Sequence, residues 1–123
     1  MTPDFSALEK SLFSLEQALS PAPKNDRERD GAIQRFEYTF ELAWKAGKRA
    51  LAVSGIESNS PRSVIRDCAQ QGWIDDAEKW LAFLNARNSA SHAYEEKIAV
   101  AVFGQARDFA GACRVFLERL RSA

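Results

Sequence analysis

Apolar residues recur at helical spacing along almost the whole chain, and the runs are separated by prolines, glycines and short polar clusters. Thr2-Pro3-Asp4 predicts a helix start with proline at the first helical position, and Phe5, Leu8, Leu12, Leu15 and Leu19 follow as one apolar stripe. Ser20-Pro21-Ala22-Pro23 ends that helix, because proline cannot continue the hydrogen-bond ladder. The charged run from Lys24 to Asp30 predicts a loop and the exposed first turn of a long second helix, from about Asp26 to Val53. Its core face is Ile33, Phe36, Phe40, Ala43 with Trp44, and Leu51. Gly47 stands where a bulky residue is expected and predicts the close approach of another helix; Gly55 supplies a left-handed stop.

Ser60-Pro61 repeats the cap-plus-proline signal, and Val64, Ile65 and Cys68 or Ala69 support a short helix that stops at Gly72. Asp75, with Glu78 three residues on, has the form of a capping box opening a fourth helix with Trp80, Leu81, Phe83 and Leu84 inward. A last helix from Glu95 or Glu96 carries Ile98, Val102, Phe109, Cys113, Phe116, Leu117 and Leu120, and Arg114, Arg119 and Arg121 near its end suit the helix dipole. No segment alternates with strand period. The predicted fold is all-α: an antiparallel, up-and-down bundle of four to five helices forming one domain over residues 1–123.

Hydrophobic residues make up 46% of the 123 and charged residues 28%, an ordinary balance for a globular protein with a real core. Seventeen basic and seventeen acidic side chains cancel, so there is no general electrostatic pull toward nucleic acid, and any such function must rest on a local patch or a second subunit. No apolar run has membrane-spanning length and the N-terminus lacks a signal-peptide pattern, which predicts a cytoplasmic protein that does not enter a membrane. Cys68 and Cys113 form no metal-spaced cluster and read as buried thiols; no metal and no cofactor is expected.

The chemistry concentrates in Arg87-Asn88-Ser89-Ala90-Ser91-His92-Ala93-Tyr94, which holds the only histidine. On an unbroken helix His92 would lie about 140° round from Arg87, so the two can converge only if the helix ends between them. Asn88, Ser89 and Ser91 favour such an ending, because their side chains compete for backbone groups. A group that titrates near neutrality beside a guanidinium that matches a phosphate is the minimum for cleaving RNA without a metal. With one histidine per chain, a two-fold dimer would bring two copies of His92 and Arg87 into one cleft. The plain alternative makes Asn88 a helix terminator, Tyr94 a half-buried aromatic and Arg87 a solvated end charge. A third possibility is nucleotide binding alone, by an anion patch of Lys45, Lys48, Arg49, Arg62 and Arg66.

Arg87-Asn88-x-x-x-His92-x-Tyr94 resembles the Arg-x4-His-x-Tyr signature of HEPN-domain proteins, and the segment Gly31 to Lys45 resembles the nucleotidyltransferase substrate-binding protein branch of that superfamily. The resemblance implies a helical bundle, a homodimer and a complex with a small nucleotidyltransferase encoded alongside, often as a toxin–antitoxin pair. It implies that Arg87 and His92 are catalytic residues of a metal-independent endoribonuclease at the dimer interface, supported by Asn88 and Tyr94. It also implies that the transferase silences the toxin by moving AMP onto Tyr94. Other members of the branch act only as subunits that help bind the transferase's substrate.

Overall fold

The structure, a computed structural model, describes residues 3–123 and consists of five α-helices and one short 3-10 turn. α1 spans Ser6–Leu19, α2 Asp26–Val53, α3 Pro61–Gln70, α4 Ala77–Ser89 and α5 Glu96–Ser122, with the 3-10 turn Ala90–His92 between the last two. α1 lies antiparallel to α2: Arg49 donates to the Asp4 carbonyl at one end and Arg35 to Ser14 toward the other. α2 and α5 run parallel, with Arg29 meeting Glu96 at their beginnings and Gly47 lying against Phe116 further on. α4 returns antiparallel to both. The long pair α2 and α5 therefore forms the middle of the bundle, flanked by α1 on one side and α4 on the other.

The predicted apolar stripes face one continuous core. Phe36, Phe40, Phe83, Phe109 and Phe116 are fully buried, and Trp80 sits among them with ring centroids 5.0–6.3 Å from Phe116, Phe109, Phe83 and Phe40. Several of these pairs are edge-to-face, the arrangement the ring quadrupole favours. Gly47 serves the purpose its position predicts. A Cβ there would lie 3.0 Å from Cys68 Sγ, 3.1 Å from Val64 Cγ1 and 3.2 Å from Phe116 Cζ, so the missing side chain lets α3 and α5 close on α2.

The local signals hold at most helix ends and fail at two places. Asn25 caps α2 through Glu28 N, Ser60 caps α3 with Pro61 in its first turn, and Gly55 and Gly72 adopt φ of 79° and 80°. α1 does not begin at Thr2-Pro3-Asp4. Thr2 lies outside the described residues, and the Asp4 side chain accepts from Ser6 N at 2.8 Å, which delays the helix to Ser6. α4 is capped not by Asp75 but by Asp76, which accepts from Lys79 N at 3.1 Å. Asp75 instead meets Arg119 of α5 at 2.7 Å, a partner only the fold supplies. The arginines near the end of α5 do more than complement its dipole: Arg114 binds Glu9 and Glu16 of α1, and Arg121 reaches Glu9 at 3.3 Å.

Cys68 and Cys113 are buried and unpaired thiols, as predicted. Among the described residues no helix is long and apolar enough to cross a membrane.

Candidate functional site at the end of α4

α4 stops where its sequence says it should. After Ser89 the backbone tightens into the 3-10 turn Ala90–His92, and Ala93 N donates to Ala90 O at 3.1 Å and Glu95 N to His92 O at 3.0 Å before α5 starts at Glu96. Ala90 is buried and anchors the turn, while Ser91, His92 and Tyr94 face outward. The break places the imidazole of His92 beside the Tyr94 ring, centroids 6.2 Å apart. Tyr94 is 82% exposed, which corrects its reading as a half-buried aromatic. Asn88 is exposed in the last turn of α4.

Arg87 is not a solvated end charge either. Its guanidinium is half-buried, lies 5.9 Å from the centre of the Phe40 ring, and donates from Nη2 to Glu41 Oε2 at 2.7 Å. The same oxygen accepts the Trp44 indole N–H at 3.1 Å, and Lys45 Nζ lies 3.5 Å from Glu41 Oε1. Trp44, expected in the core, thus sits at its margin and clamps the carboxylate that holds Arg87. Arg87 Nε is buried and has no acceptor among the described residues. One turn away on α2, Glu37 is half-buried; burial raises its carboxyl above the usual carboxylate range, and the charge of Arg87 opposes that rise.

The structure therefore joins His92 with Tyr94, and Arg87 with Glu41, Trp44 and Lys45. Among the described residues no hydrogen bond or ion pair links Arg87 to His92. The sequence reads Trp44 as core and Lys45 as part of an anion patch and does not foresee that they and Glu41 seat Arg87, although all three fall in the Gly31–Lys45 block and their spacing puts them on one side of α2. The pairing of Glu41 with Arg87 physically joins the two blocks that carry the resemblance, 46 residues apart. The predicted anion patch does not assemble as a unit: Lys45 goes to Glu41, Arg49 to the Asp4 carbonyl, and Arg62 and Arg66 lie on α3.

A helical bundle whose fourth helix breaks to present an Arg-x4-His-x-Tyr motif defines the class of protein. The chain belongs to the nucleotidyltransferase substrate binding protein like family, whose model matches residues 3–122. It is 31% identical over 134 residues to the probable ribonuclease HepT of Haemophilus influenzae, an alignment covering 96% of this chain and 92% of that protein. A protein from Thermus thermophilus has the same fold, with a TM-score of 0.87, 39% identity and coverage of 93% and 98% of the two chains. HI0074 from Haemophilus influenzae, whose structure is described as the fold of a substrate binding domain of a nucleotidyltransferase, superposes with a TM-score of 0.84 at 32% identity over 96% and 99% of the two chains.

Proposed function

We propose that the chain is the partner subunit of a small nucleotidyltransferase and that it works through the corner at the end of α4. The observation that carries this reading is the joint presentation of His92 and Tyr94 on an exposed turn, beside an arginine fixed by Glu41. Kinship with a nucleotidyltransferase substrate binding domain supports the partner. Tyr94, the most exposed large aromatic among the described residues, is then the acceptor of AMP from the transferase. A cytoplasmic toxin–antitoxin pair is the setting that fits, and the two unpaired thiols are compatible with it.

The second reading makes the same corner a ribonuclease site, and the kinship to a probable ribonuclease favours it. His92 exchanges a proton with the RNA while Arg87 stabilises the charge that builds on the phosphate during attack by the 2′-oxygen. A homodimer would set two such corners against one RNA strand. One experiment tests both readings. RNA is incubated with wild-type protein or His92→Ala in EDTA, with and without the nucleotidyltransferase and ATP. Wild type should cut and the variant should lose about 10²–10⁴-fold of the rate. The transferase should bind, add the mass of AMP at Tyr94, and stop cleavage. Equal cutting by the variant refutes the catalytic role of His92, and the absence of complex and adduct refutes the partner role.

A further inference from the structure

Among the described residues, the half-buried arginines are Arg29, Arg35, Arg87, Arg114 and Arg119. All but Arg35 face carboxylates: Arg29 meets Glu96, Arg87 meets Glu41, Arg114 meets Glu16 and Arg119 meets Asp75. Neutral oxygens hold Arg35 instead. Its Nε donates to Ser14 Oγ of α1 at 3.1 Å, and its Nη1 donates to the Gly31 carbonyl at 3.0 Å. Gly31 makes room for this fold-back, since a Cβ there would lie 3.3 Å from Nη1. Nη2 has no acceptor among the described residues and is not sealed from solvent. A cation drawn part-way out of water, oriented on two sides and lacking a counter-charge, is electrostatically incomplete. It borders a hollow of about 450 Å³ at the end of the α1–α2 seam, where Gln17 and Ser14 face Arg27 and Pro21 of the connection lies across the end. Glu28 borders it too, with one oxygen taken by Lys24 N at 2.9 Å, so two cations stand against one acid. Ser14 also borders a second hollow of about 540 Å³ further along the seam, so the two form one groove. That second part is mainly apolar, with Leu42 half-buried and Tyr38 exposed along it. Glu41 at its edge is already engaged by Arg87 and Lys45.

We propose that the α1–α2 groove binds a mononucleotide by its terminal phosphate, at a site separate from the corner at the end of α4. The phosphate takes the free Nη2 of Arg35 and the guanidinium of Arg27, and the Gln17 amide is a further donor on its rim. A phosphate fits this pair better than a carboxylate does. Its three terminal oxygens accept from two arginines in different directions, whereas the two oxygens of a carboxylate are matched by one guanidinium fork. The base lies in the apolar part, on the Tyr38 ring and the Leu42 side chain. Stacking on an aromatic ring tolerates every base, so the groove selects a phosphate joined to a flat ring and not one particular base. Leu42 is seven residues beyond Arg35, about 10 Å along α2 at 1.5 Å per residue, which suits the reach of a nucleoside monophosphate. The seam ends at the α1–α2 connection, so a phosphate seated there terminates its ligand and is not the interior of a strand. Arg35 and Ser14 lie on the side of α2 that faces α1, while Arg87 reaches α2 from α4. The site therefore does not depend on whether the corner cuts RNA.

The test titrates AMP, adenosine and inorganic phosphate separately into the isotope-labelled full chain and follows the backbone amide resonances. AMP should shift amides of residues 10–18 and 27–42 and bind about tenfold or more tighter than adenosine or phosphate alone. Arg35→Gln should weaken AMP by about 10–100-fold and leave adenosine unchanged. Tyr38→Ala should weaken AMP and adenosine alike, by about 5–100-fold. Arg62→Gln, which removes a like charge on α3, should bind AMP as wild type does. Arg27 is exposed, so Arg27→Gln carries the test should Arg35→Gln not fold, and it should weaken AMP by about fivefold or more. AMP affinity unchanged in Arg35→Gln and Arg27→Gln overturns the phosphate seat, and an equal loss in Arg62→Gln reduces it to general attraction. Phosphate that binds as tightly as AMP overturns the base seat. An RNA oligonucleotide without a terminal phosphate that binds tighter than AMP and shifts the same amides overturns the mononucleotide in favour of a strand.

Discussion

Replacing Glu41 by alanine removes the ion pair that ties the Arg87 motif to α2. The variant loses the 2.7 Å bond from Arg87 and the 3.1 Å bond from Trp44. A hydrogen bond to a charged group is worth about 1.5–3 kcal/mol when buried, and exposed ion pairs about 0.2–1. The side chains of Arg87 and Glu41 are 28% and 38% exposed, so their pair falls between those limits, at about 1–1.5 kcal/mol. Arg87 Nε is already without an acceptor, so the truncation leaves the guanidinium with no hydrogen-bond acceptor on α2 and only its contact with the Phe40 ring. Adding about 0.5 kcal/mol for the Trp44 bond gives a loss near 2 kcal/mol. In urea melts, Glu41→Ala and Arg87→Ala should each destabilise by roughly that amount or somewhat less, and the double variant should recover about 1 kcal/mol relative to their sum. Cleavage should fall in Glu41→Ala, and adding the substitution to Arg87→Ala should reduce it little further, because the carboxylate acts through the arginine. Strict additivity in both assays, within about 0.3 kcal/mol, would show that the pair is incidental.

Two further outcomes follow from the core. Gly47→Ala should gain about 1 kcal/mol of helix propensity but lose about 1–3 to overpacking, since its new Cβ meets three buried atoms at 3.0–3.2 Å. The net is a loss of about 1 kcal/mol, and a variant melting above wild type would show that α3 yields easily. Burial pushes the Cys68 thiol up to about 12 and Cys113 higher still, so both should resist thiol reagents at pH 8 until the protein unfolds. The associated stability is fully present below the unfolded thiol value of about 8.5 and is lost as pH rises toward 12, which a series of alkaline melts will follow.

Much of this fold is legible locally because its determinants are local. Asn25, the apolar period and Gly55 bound α2, and Asn88, Ser89 and Ser91, whose polar side chains weaken a helix, mark the end of α4. What the sequence hides are partners set by topology. Asp75 looks like a cap until Arg119 stands beside it, and Trp44 looks like core until its indole is seen to hold Glu41. At the candidate site, the break can be read from one stretch. The seat of Arg87 cannot, because it lies on α2 and depends on how α4 crosses it.

The segment that carries His92 and Tyr94 is fastened at both ends by ion pairs on the rim of the bundle, with Ala90 buried in the apolar interior and Ala93 half-buried against it. Attractions of that kind fade as ionic strength rises, whereas the aromatic cluster beneath does not depend on it. Added salt should therefore loosen this corner while the bundle as a whole stays folded, a sub-global opening that amide exchange would register in residues 90–95 well below the denaturing range. Salt sensitivity of any activity at the corner would then have two sources, weaker capture of a charged ligand and a less rigid platform to receive it.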